Sequence, residues 1–112
     1  TVDKAQRLFA RATAGYDIVL APTLPMANFP AEAAGADPAH PHDHVGFTAL
    51  LNQSGQPGLT LPCGFAGPSP VGLQLIGQAG RDIELLRAAL AFESAQGKGR
   101  AFPPLADLSV PA

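Results

Sequence analysis

The stretch NQSGQPGLTLPCGF, residues 52–65, restricts this chain more than any other. It sets Gly55, Gly58, Gly64, Pro57 and Pro62 around a short β-type run that holds the only cysteine, Cys63. Proline fixes φ and removes a ladder donor, so Pro62 predicts that its strand lies at a sheet edge or carries a bulge there. Gly58, Gly64 and, further on, Gly72 leave the sheet surface bare. That permits close approach of another backbone or of a ligand. Gly55 suits the end of a preceding helix, and Pro57 fixes the entry into the strand.

The elements on either side follow from periodicity. Val2, Ala5, Phe9 and Ala12 share one helical face, and Lys4, Arg7 and Arg11 lie mostly elsewhere, predicting a helix over 2–14 that stops at Gly15. YDIVLAP, residues 16–22, is apolar without polar alternation and reads as a strand buried on both faces, ended by Pro22. Residues 23–44 carry Pro25, Pro30, Pro38 and Pro41 and form a loop. A short helix is expected over 46–55, with Phe47, Leu50 and Leu51 on one face. A strand, LTLPCGF, follows Pro57; a turn spans 66–70, and a second strand spans 71–78. In that strand Val71, Leu73 and Leu75 oppose Gly72, Gln74 and Ile76. Residues 82–96 are the strongest helix, with Asp82 as N-cap and Glu84 in the first turn. Ile83, Leu86 and Leu90 form its stripe, widened by Leu85, Ala89 and Phe92. Glu84 and Arg87 are spaced as an outer-face pair. The order of elements gives an α/β or α+β layering, with no internal repeat.

A domain of 112 residues should carry much charge on its large relative surface. Charged residues are instead 14% and hydrophobic ones 46%, against about 25% charged in typical soluble domains. Much of this surface is therefore expected to be covered, by a partner or by the rest of a longer chain. The chain begins at Thr1, its only methionine is Met26, and residues 1–14 lack the apolar core of a signal peptide. No run approaches a membrane span. The net charge of −2, with no basic cluster, argues against nucleic acid or an anionic membrane as partner. A single cysteine excludes an internal disulfide framework and suits a reducing, cytoplasmic setting.

No complete catalytic constellation is visible. Cys63 as nucleophile would need a base within hydrogen-bond reach. The histidines, His40, His42 and His44, all sit in the long loop, and a small buried thiol filling core space is the commoner role. HPHDH, residues 40–44, offers three imidazoles at alternate positions plus Asp43. In an extended segment they would share one side as a metal set; a solvated loop is the plainer reading. GKGR, residues 97–100, lacks the glycine and the hydroxyl residue that a phosphate loop requires.

Three segments, taken in order, resemble the C-terminal part of the amidase signature family: YDIVLAPTLP (16–25), FTALLNQSGQPGLTLPCGF (47–65) and PVGLQLIGQAGRDIELLRAALAFE (70–93). The run Asn52, Gly55, Pro57, Pro62, Gly64, then Pro70-Val71-Gly72-Leu73-Gln74, is the most specific part. The resemblance implies an α/β fold in which a mixed β-sheet is layered with helices. Residues 1–112 would be a single partial domain, with 23–45 a variable loop and 97–112 a loose tail. It also implies hydrolysis of carboxylic amides by a Ser-cis-Ser-Lys triad with backbone oxyanion stabilisation. Those parts would lie N-terminal to Thr1: neither Lys4 nor Lys98 sits in a triad-lysine motif, and no Gly-Ser-Ser run occurs. No catalytic residue, cofactor or metal is thus assigned here. The implied partners are the missing N-terminal part of the enzyme and a small-molecule amide, and a homodimer is compatible with the resemblance. Val45 and Thr48, in the segment that approaches the family's pocket, are the expected substrate-binding residues. Family members that generate ammonia for transfer RNA-dependent amidotransfer usually carry Asp three residues before the Thr. Val45 stands there in this chain, which favours a less polar amide over glutamine. The alternative is a non-catalytic binding or structural remnant of the fold.

Overall fold

The structure, a computed structural model, describes residues 1–97; the expected tail beyond Gly97 lies outside the described residues. Helix α1 (Val2–Thr13) half-buries Ala5 and Phe9 of the predicted face and leaves Lys4, Arg7 and Arg11 exposed, but Val2 and Ala12 of that face are exposed as well. It ends at Thr13, two residues before the predicted glycine stop. The Thr13 hydroxyl donates to the Phe9 carbonyl at 3.0 Å and competes with the backbone there.

Three antiparallel strands form one sheet in the order β1-β3-β2: β1 (Ile18–Pro22), β2 (Gly58–Ala66) and β3 (Ser69–Gly77). The apolar run of β1 predicts burial on both faces. Instead β1 is only partly buried, with Leu20 62% exposed, and among the described residues it pairs with β3 alone. The hairpin joining β2 to β3 is tighter than the five-residue turn expected at 66–70, because Ala66 and Ser69 already pair. Gly67 (φ +60°) followed by Pro68 supplies the left-handed first position of a two-residue loop, which matches the twist of the strands.

Pro62 has both predicted consequences. β2 lies at an edge of the described sheet, and the register slips between Pro62 and Gly64. Cys63 is the extra residue at this bulge. It is exposed, with Sγ 3.6 Å from the Val71 carbonyl, and not the buried space-filler expected of a lone thiol. A bulge turns its extra residue out of the alternation that would have buried it.

The register assigns the two faces. Leu59, Leu61, Leu73, Leu75 and Ile18 lie under α3 (Asp82–Gln96), where Leu61, Leu75, Leu85 and Ala89 form the core. Val19, Ala21, Gln74 and Ile76 face the opposite side, which carries α1 and α2 (Thr48–Ser54). This is the expected layering of helices on a sheet, and within the described residues every strand pairing is antiparallel. In α2 Leu51 is buried, and Gly55 at φ +76° ends the helix in the left-handed conformation expected of it.

α3 sits in a rotation different from that predicted. Leu85 and Ala89 are buried, with Ala88 and Phe92 against them, whereas Ile83, Leu86 and Leu90 are 59%, 53% and 63% exposed. Both stripes are apolar, so periodicity alone could not choose between them. Arg81, not Asp82, occupies the N-cap position, and Glu84 meets Arg81 at 3.4 Å rather than Arg87. The backbone N–H of Glu84 itself, then Arg81, holds the Glu84 carboxyl below its ordinary range.

Among the described residues only Leu51, Leu61, Leu75, Ile76, Leu85 and Ala89 make up the buried apolar set, and eleven large apolar side chains are exposed. A chain this poor in charge has left much of its apolar surface without cover. No helix among the described residues is long and apolar enough to cross a membrane.

Candidate functional site

The helix-to-strand corner around residues 45–58 is held by polar contacts that the sequence did not announce. Gln56 Nε2 donates to the Gly77 carbonyl at 2.9 Å and to Thr13 Oγ1 at 3.2 Å. The Gly77 N–H returns a bond to the Pro57 carbonyl at 2.9 Å. Gln78 Nε2 donates at 2.8 Å to the carbonyls of both Thr13 and Tyr16, which satisfies the end of α1. Thr13, Gln56 and Gln78 thus pin α1, the corner and the end of β3 together. Thr13 is buried at the foot of α1, and no pattern in the sequence marks it or its two glutamine partners.

The corner also explains Gly58. A Cβ there would collide with the buried Leu51 side chain. Gly72 is comparably constrained: a Cβ would lie 2.7 Å from both Thr23 Oγ1 and Thr60 Cγ2. Gly58 and Gly72 therefore admit neighbouring side chains of the chain itself, whereas Gly64, at φ +136° beside the bulge, faces open space.

The two expected substrate-binding residues come together at the mouth of α2. Val45 ends a short 3-10 turn, Asp43–Val45, and Thr48 opens the helix. The Thr48 hydroxyl donates to the Val45 carbonyl at 3.3 Å, and both residues are half-buried. Between them, the Phe47 carbonyl accepts from Gln74 Nε2 at 3.4 Å, tying this segment to the sheet. Gly46 and Phe47 border an open apolar hollow of about 310 Å³ that continues along Leu50, Phe9, Val19 and Ile76. A second, of about 400 Å³, lies between residues 22–27 and the hairpin surface at Thr60 and Gly72.

The histidines do not converge. His40 Nδ1 meets Asp37 Oδ2 at 3.0 Å on the surface of the loop, and this contact, then the Ala39 N–H, lowers the Asp37 pKa. The ring of His44 packs against Phe29 with centroids 5.1 Å apart, and His42 is exposed. Among the described residues no group of three His, Cys, Asp or Glu side chains could hold a metal ion.

A profile of the Amidase family matches residues 1–86. The chain belongs to the amidase family. It is 41% identical over 104 residues to a glutamyl-tRNA(Gln) amidotransferase subunit of Thermus thermophilus, covering 93% of this chain and 21% of that protein. To the corresponding protein of Bacillus licheniformis it is 36% identical, covering 87% of this chain and 20% of that one. Its fold is similar to the crystal structure of the glutamyl-tRNA(Gln) amidotransferase subunit from Thermotoga maritima, with a TM-score of 0.71 and 32% identity over 83% of this chain and 20% of that one. It is also similar to 6-aminohexanoate cyclic dimer hydrolase, with a TM-score of 0.69 and 29% identity over 92% and 23%. The chain therefore spans about a fifth of the length of the amidase-family proteins it matches. The hairpin and corner described above carry the sequence run that announced the family.

Proposed function

We propose that this chain is the C-terminal part of an amidase that cleaves carboxylic amides to the acid and ammonia or an amine. In this reading a serine supplied by the segment before Thr1 attacks the amide carbonyl. A bridging cis-serine and a lysine of the same segment carry its proton to the departing nitrogen. The C–N bond breaks, and water then releases the acid from the acyl-serine. Residues 1–97 contribute scaffold and one wall of the pocket. The observation that carries this reading is the family match over most of this chain together with its coverage of only a fifth of its relatives. The exposed apolar side chains agree with it.

The substrate proposed is a neutral, less polar amide. Val45 offers no carboxylate where an amino acid's ammonium would need one, and the adjoining hollow is apolar. The test is ammonia release by the full polypeptide from glutamine and from an uncharged aliphatic amide. The aliphatic amide should be the better substrate, and Val45→Asp should shift the ratio toward glutamine by about tenfold, the scale of one charged hydrogen bond. A wild-type preference for glutamine would contradict the substrate assignment. Hydrolysis by residues 1–112 alone would contradict the location of the triad.

A further inference from the structure

The two ends of α2 are held in different ways. At the far end Leu51 is buried against Gly58, and Gln56 Nε2 donates to the Gly77 carbonyl at 2.9 Å and to Thr13 Oγ1 at 3.2 Å. The near end carries the pocket wall, residues 45–48, and has little apolar anchorage. The 3-10 turn leading into it buries no residue, Gly46 is exposed, and Phe47 and Leu50 are 42% and 41% exposed. Phe47 stands at the N-cap without a side-chain cap bond among the described residues. A helix of seven residues has little stability of its own, so its near end takes its position from what holds it.

Gln74 is the sheet residue that reaches this end. It lies in β3, which pairs on both sides, opposite Ala21 of β1 and Thr60 of β2. It is only 3% exposed, and its Nε2 donates to the Phe47 carbonyl at 3.4 Å. The bond is long, but away from water a polar contact is stronger than in solvent. Burying a side-chain amide costs free energy unless it is bonded. Ile76, next on the same face of β3, is apolar and as deeply buried at 4%. A glutamine at 74 is therefore explained by what its amide holds.

We propose that Gln74 is a positioning residue for the amide substrate. It acts through the Phe47 carbonyl, holds Val45 and Thr48 at a fixed height above the sheet, and so sets how tightly the wall grips the substrate. The bond-making groups belong to the segment before Thr1, so the rate of the chemical step is left alone. This rests on the reading of the chain as part of a longer amidase with Val45 and Thr48 in its pocket.

Steady-state kinetics of the full polypeptide on an uncharged aliphatic amide test this. Gln74→Met keeps nearly the length of the side chain and removes the donor. Gln74→Glu keeps its shape and turns a carboxylate toward the Phe47 carbonyl. Each should raise KM about tenfold and leave kcat within about twofold, the pattern of lost uniform binding. Leu85→Ala is the reference for plain loosening, because it opens the core on the opposite face of the sheet. It should lower Tm further than Gln74→Met does and leave KM unchanged. A rise in KM as large in Leu85→Ala would overturn the proposal. So would a fall in kcat at constant KM in the Gln74 variants, or failure of both of them to fold. An active wild type whose KM neither Gln74 variant moves would sink this proposal alone. A wild type that releases no ammonia from any amide would sink the functional reading and this inference with it.

Discussion

Gly58 and Gln56 are the residues on which the corner depends most. Gly58→Ala drives a Cβ into the buried Leu51 side chain and should cost about 1–3 kcal/mol, measured by chemical denaturation. Gly55→Ala meets open space and should cost only the left-handed backbone penalty of about 1–2 kcal/mol. Gln56→Ala leaves the Gly77 carbonyl short of a donor, and a loss of about 1–3 kcal/mol is expected. The glycine was legible in the sequence as a bare position, but its partner was not, because only the fold brings Leu51 over it. Gln56 was not legible: nothing in its neighbourhood separates a glutamine that bridges two elements from a solvated one. Cys63 misled for a related reason, since a bulge re-aims a side chain without leaving a mark in the periodicity. For Asp37 the sign follows from its lowered pKa. Its contact with His40 stands above the ordinary carboxylate range and is lost as pH falls through the lowered value. Acid titration followed by NMR should therefore show the Ala39 N–H released only below that range.

α3 carries the clearest lesson at the scale of elements. Its limits were plain from the apolar run and the glycine that follows, but its rotation was not. Leu85 and Ala89 form one apolar face and Ile83, Leu86 and Leu90 form another. A helix apolar on two sides is built to be covered twice, and the three-stranded sheet covers only the first. Leu85→Ala should cost about 2–5 kcal/mol in the isolated chain and in the full polypeptide alike. Leu90→Ala should cost little in the isolated chain, where it is 63% exposed, and more in the full polypeptide. Equal small losses for Leu90→Ala in both would mean that this face stays in water. β1 fits the same pattern. Its apolar run suits a strand covered on both faces, but among the described residues β3 alone lies beside it.

At the scale of the whole molecule, the low charge and, among the described residues, the small core and eleven exposed large apolar side chains agree with the proposal that the chain is one layer of a longer protein. Residues 1–112 in isolation should bind a hydrophobic dye and associate as concentration rises, which light scattering would follow. A monodisperse monomer that unfolds cooperatively and binds no dye would favour a self-sufficient domain. The family was legible because its run of Asn, Gly and Pro positions encodes the corner and the hairpin, which are local. The chemistry was not, because nothing among the described residues assembles a nucleophile with its base. Whether the chain is one part of a longer amidase is decided most directly by reading the coding sequence upstream of Thr1. An in-frame lysine followed by a Gly-Ser-Ser-rich segment is the expected result. A start codon immediately before Thr1, with no such segment, would contradict it.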